Sequence, residues 1–124
     1  MRPAAGEWCV LEVLAHLVDC DYHYAAEATA MSDGPNHMLV YFDDNAWKAE
    51  HGNIRETAFA EILASLAASH EYVLGLLASM SEADLDLPGL HPHGIPYTVR
   101  NVFLRWPQHE ENHTRQIEEI LAAI

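Results

Sequence analysis

Apolar residues recur every three to four positions over long stretches of the chain, and this period is the feature that most limits its fold. From Glu7 to Met31 the apolar stripe comprises Leu11, Leu14, Val18 and Ala25, widened by Leu17, Tyr24 and Ala28. From Ile54 to Met80 the same period places Phe59, Ile62, Leu63, Leu66, Val73, Leu74 and Leu77. Such spacing puts side chains on one face of an α-helix. The pattern therefore predicts two long amphipathic helices.

A third long helix is predicted to run from Thr98 to the C-terminus, because Thr98 can accept a hydrogen bond from a free amide of the first turn. Its core positions are Val102, Phe103, Trp106, Ile117, Ile120 and Leu121. Pro107 lies inside this helix and removes one backbone hydrogen bond, so it should kink the helix just before His109.

Turn-forming residues separate the long helices. Residues 32–36 include Gly34, which takes φ > 0, and a proline, and should end the first helix. Asp43 or Asp44 could cap a short helix that contains Trp47 and ends at Gly52. Residues 81–84 resemble a capped turn, and three prolines and two glycines should keep residues 86–97 irregular. With β-branched residues sparse and alanine abundant, the expected fold is all-α, an up-down helical bundle forming a single domain over residues 1–124.

Charge and cysteine content limit the partners. The formal charge of −13 repels nucleic acid and anionic membranes, and no apolar run is expected to approach the length that spans a bilayer. No cationic start precedes an apolar segment as in a signal peptide. Cys9 and Cys20 lie about 16 Å apart along a helix, too far for a disulfide, and are expected to be reduced core thiols. These features predict a soluble, cytoplasmic protein.

The string His109-Glu110-Glu111-Asn112-His113 carries the clearest chemical signal. Two histidines four residues apart share one face of a helix, where a single divalent metal can bridge them. Nine histidines give roughly 0.6 such pairs by chance, so the spacing needs support from elsewhere. Glu110 projects about 100° away from His109, which argues against its acting as a base at such a metal.

Support comes from His16, which lies inside an apolar run of the first helix. Side chains of two packed helices can reach a common metal, so His16 could complete a site with the pair. Glu12 and His23 share its face and are candidates for a fourth ligand, a hydrogen-bond acceptor for a ligating histidine or a base, or are simply solvated. Cys20 is a further candidate ligand. His91 and His93 could reach a site at the bundle mouth or be exposed loop residues, and no ligand partner is evident for His37, His51 or His70.

The same string is typical of zinc metallopeptidases, in which the glutamate activates a metal-bound water. Those enzymes usually take a third ligand downstream, but only eleven residues follow His113 and none is His, Asp or Cys. The peptidase interpretation is therefore poor. No phosphate-binding glycine loop or nucleophile motif is visible either.

Several short segments in order resemble the DinB-like (DinB/YfiT) family of metal-dependent proteins. They are residues 6–8 (Gly-Glu-Trp), 12–17 (Glu-Val-Leu-Ala-His-Leu), 80–85 (Met-Ser-Glu-Ala-Asp-Leu), 97–99 (Tyr-Thr-Val) and the stretch from His109 through His113 to Gln116 and Ile117. The resemblance implies a four-helix bundle, often dimeric, with a divalent metal on His16, His109 and His113. It also implies relatives that are transferases and isomerases dependent on a low-molecular-weight thiol, bacillithiol or mycothiol.

The chain departs from that family at its start, because the family places a whole helix before the segment containing Trp8 and here only seven residues precede it. Either the start is misplaced or truncated, or a core of three long helices leaves an apolar face that a partner subunit covers.

Three functional hypotheses follow. The first is a metal-dependent enzyme, a thiol-dependent transferase or a hydrolase, in which Zn²⁺ or Ni²⁺ on the three histidines leaves positions open for water or a substrate thiolate and lowers its pKa. The second is a non-enzymatic dimeric bundle that binds a metal or a small ligand. A metal site closed by four protein ligands would favour it. The third is a histidine-rich helical domain without metal. A small-molecule substrate and a homodimer are expected, and the sequence identifies no catalytic residue.

Overall fold

Three long helices dominate the computed structural model, which describes residues 2, 4, 6–34, 36–51 and 58–124. The elements in order are α1 (Val10–Asp33), α2 (Asp44–His51), α3 (Phe59–Ser79), α4 (Glu82–Leu85), β1 (Pro88–Gly89), β2 (Tyr97–Thr98) and α5 (Val99–Ala123). The predicted all-α helical bundle is confirmed. Within residues 86–97, expected to be wholly irregular, β1 pairs antiparallel with β2 through Pro88–Thr98 and Gly89–Tyr97.

Helix ends follow local capping. α1 starts at Val10 and not at Glu7, because Cys9 is the N-cap and the Glu12 carboxylate accepts a hydrogen bond from its amide at 3.0 Å. The helix ends after Asp33 with Gly34 at φ −164°, so the prediction of a left-handed Gly34 is wrong and extended backbone ends the helix. The predicted end at Gly52 and start at Ile54 lie outside the described residues.

The other predicted helix caps are present. The carboxylate of Asp43 accepts from the amide of Ala46, so Asp43 caps α2 and leaves the side chain of Asp44 available. Ser81 caps α4 by accepting from the amide of Asp84 at 3.1 Å. At the start of α5 Thr98 and Asn101 form a capping box, in which the Thr98 side chain faces the Asn101 amide and Oδ1 of Asn101 accepts from the Thr98 amide at 2.8 Å. The helix continues through Pro107, and the kink expected there stays a prediction.

α1 is the central helix, because α3 and α5 each pack along it more extensively than they pack on each other. The apolar core lies at this junction and consists of Ala25, Ala28, Met31, Val73, Val99, Val102, Phe103 and Trp106. Gly89 approaches this core so closely that a Cβ there would lie 2.7 Å from the Met31 methyl carbon. The two-residue ribbon thus closes one end of the core.

The buried face of α1 includes polar residues that the apolar stripe missed. Glu12, His16, Asp21 and Glu27 are all buried, whereas Leu11, Leu14 and Val18 are only half-buried. Each of the buried polar residues has a hydrogen-bonding partner. A buried polar side chain is tolerated when it is hydrogen-bonded, so the true buried stripe is not purely apolar.

α3 is far more exposed than its apolar sequence predicts. Only Ser69 and Val73 are buried, and Phe59, Leu63 and Leu74, predicted as core, are each more than two-fifths exposed. Leu121 of α5 is likewise exposed against prediction. Both helices pack mainly on α1 and meet each other less extensively, so the outer apolar side chains of α3 stay exposed.

By length and composition alone, α3 would suffice to cross a membrane, with a mean hydropathy of 1.3 over its most apolar window. It is the one such helix within the described residues, and it corrects the expectation that no apolar run approaches this length. Core helices of soluble proteins pass the same test, but they are mostly buried, whereas 11% of this window is buried.

Candidate metal centre

The side chains of His109 and His113 meet on one face of α5. Their Nε2 atoms lie 3.1 Å apart, and their ring centroids are separated by 4.4 Å. Two nitrogen ligands of a tetrahedral Zn²⁺ at 2.1 Å would lie about 3.4 Å apart. The Oε1 atom of Gln116 accepts a hydrogen bond from Nδ1 of His113 at 2.8 Å, which leaves the Nε2 lone pair of His113 directed at His109.

The third imidazole comes from α1. His16 is fully buried, and its ring centroid lies 4.9 Å from that of His113 and 6.0 Å from that of His109. One ligand atom from each of the three histidines lies within 4.8 Å of the other two, a group that could hold a metal ion. The structure thus brings together the three residues selected from the sequence, and ligation itself stays a prediction.

Electrostatics favour neutral imidazoles at this site. Burial lowers the pKa of His16 to about 4 although the Asp44 carboxylate opposes the shift, and burial together with the neighbouring imidazoles lowers the pKa of His109 to about 4. Both are therefore uncharged at neutral pH, the form in which histidine binds metals. Nδ1 of His109 is buried without a hydrogen-bonding partner in the described part of the chain. Three imidazole donors suit Zn²⁺, Ni²⁺ or Cu²⁺, so the residues fit a divalent metal.

Aromatic rings enclose His16. Trp8 and Trp47 stack on each other at 5.5 Å, and each places its ring centroid 5.2 Å from that of His16. Phe42 packs edge-on against the imidazole at 4.9 Å. Trp47 is held in place by a hydrogen bond from its indole nitrogen to Asp19 at 2.6 Å. This apolar wall excludes water from one side of the site and fixes the ring orientation.

Asp44 lies at the site, although the sequence pattern indicated it only as a helix cap. Its Oδ1 atom lies 3.2 Å from Nε2 of His16, and its side chain is 54% exposed. Because Asp43 supplies the cap, Asp44 at the start of α2 is free to face the imidazoles. A carboxylate here can serve as a fourth ligand or accept a proton from a group bound beside the histidines.

The three other residues weighed as fourth ligands have different roles. Glu12 is paired with Arg2 and bonded to the amide of Cys9, so its carboxylate is occupied in capping α1. His23 contacts the carbonyl oxygen of Val40 through Nε2 at 2.7 Å. Cys20 lies 3.3 Å from Nε2 of His16, but burial raises the pKa of its thiol, which keeps it protonated. Cys9 and Cys20 are buried free thiols, as predicted.

A cavity of about 140 Å³ opens beside the imidazoles. Its lining includes His109 and Asp44 together with Tyr24, Tyr41, Tyr97 and Arg105. His91, predicted as a ligand at the bundle mouth or an exposed loop residue, is buried, and its Nε2 lies 2.8 Å from the hydroxyl of the cavity residue Tyr41. His93 is exposed.

A second polar cluster lies on the other side of α5, where no group was expected. Asp21, His70 and Glu110 bring ligand atoms within 4.8 Å of one another. Asp21 is buried and accepts hydrogen bonds from Ser69 at 2.6 Å and from the Trp106 indole at 2.8 Å. Glu110 lies 3.2 Å from Nδ1 of His70, so it turns away from the three histidines as its helical position predicted. This cluster links α1, α3 and α5 through hydrogen bonds.

Comparison with known proteins places this geometry in context. A family model described as the DinB superfamily matches residues 1–117. The solved structure of YfiT from Bacillus subtilis, described as a probable metal-dependent hydrolase with an unusual four-helix bundle topology, superposes with a TM-score of 0.80 at 20% identity. The match covers 97% of this chain and 69% of that chain, and at this identity it shows a shared fold. A search of curated proteins gave no match.

Proposed function

The chain belongs to the DinB superfamily, and on that premise we propose that it is a divalent-metal-dependent enzyme whose metal is held by His16, His109 and His113. The observation that carries the proposal is the convergence of three imidazoles from two helices, two of them neutral through burial. Three protein ligands are typical of catalytic zinc sites, because they leave a position for substrate or water. Zn²⁺ and Ni²⁺ are the candidates.

For the reaction we propose a hydrolysis or a transfer that depends on a low-molecular-weight thiol. The description of YfiT as a probable metal-dependent hydrolase supports the first. A bound divalent metal would supply Lewis-acid activation of a water or a thiol. Asp44 is positioned to take the proton that such a group releases, since its carboxylate is half-exposed and lies beside His16. The aromatic wall of Trp8, Phe42 and Trp47 would keep competing water away from that side.

The decisive experiment is elemental analysis of protein purified without a histidine tag, together with the variants His16→Ala, His109→Ala and His113→Ala. We expect about one bound divalent metal per chain in the parent and a loss of affinity of at least about tenfold in each variant. His93→Ala is the matched control, because His93 is an exposed histidine outside the site. Unchanged metal affinity in His16→Ala and His109→Ala would overturn the proposal.

One observation favours a second candidate, a non-enzymatic metal-binding bundle. With Asp44 so close to His16, a metal could be closed in by four protein ligands, as in structural zinc sites. Asp44→Asn separates the two. If Asp44 is a ligand, metal affinity falls with the substitution, whereas a base can be replaced with metal retained and turnover lost. A homodimer remains part of either proposal.

A further inference from the structure

We propose that the cavity beside the three histidines binds a small organic carboxylate, with the guanidinium of Arg105 receiving the carboxylate group. The inference deepens the proposed function by naming the substrate class, and it rests on that function for the chemistry that follows binding. The cavity, the position of Arg105 and the pairing of the other charged groups each support it.

Arg105 shares one face of α5 with the site. It lies one helical turn before His109 and two before His113, so the three side chains form a single stripe. The ring of Tyr24 lies 5.5 Å from that of His109 and also contacts Arg105. A ligand held by Arg105 would therefore extend along Tyr24 toward the imidazoles.

The guanidinium of Arg105 has no carboxylate partner among the described residues. Arg100 on the same helix pairs with Glu82 at 2.9 Å and with Asp86 at 3.3 Å, as expected for a cation in a chain of charge −13. Arg105 instead contacts tyrosines. A side-chain hydrogen bond with Tyr24 raises its pKa, and its Cζ lies 5.7 Å from the ring centroid of Tyr41. Its remaining N–H groups can donate two parallel hydrogen bonds to a carboxylate.

The other charged groups of the cavity already face imidazoles. Glu27 is buried and lies 2.5 Å from Nε2 of His37, and Asp44 lies beside His16. Arg105 is the one guanidinium or ammonium group among the cavity residues. The two carboxylates would repel a dianion more strongly than a monoanion, which favours a carboxylate over a phosphate.

The size and lining of the cavity indicate a small ligand with a flat apolar body. Its volume of about 140 Å³ is close to the roughly 150 Å³ that accommodates benzene in an engineered protein cavity. Tyr24, Tyr41 and Tyr97 supply aromatic walls next to apolar Leu39 and Phe42. An aromatic or short unsaturated monocarboxylate matches both the walls and the charge.

The test uses benzoate as the probe and benzamide as its uncharged counterpart, titrated calorimetrically into full-length protein loaded with Zn²⁺. We expect benzoate to bind, benzamide to bind at least about tenfold more weakly, and Arg105→Met to weaken benzoate binding by a similar factor. Arg105→Lys should restore part of the affinity. Arg115→Met is the matched control, because Arg115 is an exposed arginine ten positions further along the same helix.

The inference is wrong if metal-loaded protein does not bind benzoate, if benzamide binds equally well, or if Arg105→Met leaves benzoate binding unchanged. Inorganic phosphate binding more tightly than benzoate would also contradict it and indicate a phosphorylated ligand. Metal content and the thermal unfolding curve of Arg105→Met are measured in parallel. Retained metal with lost benzoate binding supports the carboxylate subsite, whereas a parent protein that takes up no metal contradicts the proposed function separately.

Discussion

Asp44 at the start of α2 places its Oδ1 atom 3.2 Å from Nε2 of His16 on α1. The contact joins a half-exposed carboxylate that lines the cavity to a fully buried imidazole that does not. Such a carboxylate can exchange protons with solvent while the imidazole stays shielded from it. The pair therefore lies where the buried side of the site meets solvent.

Asp44→Asn should abolish most turnover while leaving metal bound. The amide keeps the size of the side chain but cannot take a proton, and loss of a general base typically costs about 10²- to 10⁴-fold in rate. Once a substrate has been identified for the parent protein, its turnover and the metal content by elemental analysis are measured on the same sample. Glu50→Gln, an exposed carboxylate on the same helix, should change neither. Full activity in Asp44→Asn would contradict a role as base.

Gln116→Leu should weaken metal binding by about ten- to a hundredfold. Its carbonyl oxygen fixes the Nδ1 proton of His113 and so the orientation of the ring, and loss of such a partner usually costs this much affinity. A competition titration against a chromogenic chelator measures the effect. Gln108→Leu, exposed on the same helix, serves as the control. Equal affinities for the two variants would mean that Gln116 does not orient the ligand.

The metal-free protein should lose stability as the pH falls from 7 to 5. Burial lowers the folded-state pKa of His16 and of His109 to about 4 from 6.5, so in this window the unfolded chain binds more protons than the folded one. The contribution of these two histidines to the free energy of unfolding is fully present above pH 6.5 and decreases until the pH nears 4. We expect a loss of about 2–4 kcal/mol between pH 7 and 5. Urea unfolding at each pH measures it, and His109→Asn should flatten the profile.

Asp21→Ala should destabilise the bundle by about 2–4 kcal/mol. The substitution removes the acceptor of the buried Trp106 indole and of Ser69, whose hydroxyl can still donate to the carbonyl of Leu66. Asp21→Asn keeps one acceptor oxygen and should cost less. Denaturant unfolding compares both with Asp33→Ala, an exposed aspartate at the end of α1. An equal free energy of unfolding for Asp21→Ala and Asp33→Ala would show that the network contributes nothing.

The sequence predicted the parts of the fold and site that depend on local spacing. The positions of His109 and His113 follow from helical geometry alone, and His16 stood out because it interrupts an apolar run. Asp44 and Arg105 could not be found in this way, since their roles depend on how α2 and the tyrosines fold against α5. Asp43 caps α2 because its carboxylate accepts a hydrogen bond from the Ala46 amide, and the hydropathy pattern cannot predict such a contact.

Burial on the two outer helices was predicted less well, for a physical reason. Leu63 and Leu74 of α3 fit a helical apolar stripe, but a stripe is buried only if a neighbour covers it, and α3 packs mainly along α1. Asp21 shows the reverse error. It is polar and was assigned no role, yet hydrogen bonds from two helices hold it in the interior.

The two indoles stacked beside His16 can report by their fluorescence whether a metal is bound at the site. Trp8 and Trp47 lie close enough to the imidazole for an open-shell ion such as Ni²⁺ to quench their fluorescence, whereas closed-shell Zn²⁺ would leave the emission bright. Trp106, the third tryptophan, contacts His70 in the other cluster, and its emission is expected to change less. A fluorescence titration without any label can therefore distinguish the two candidate metals and follow their exchange in real time.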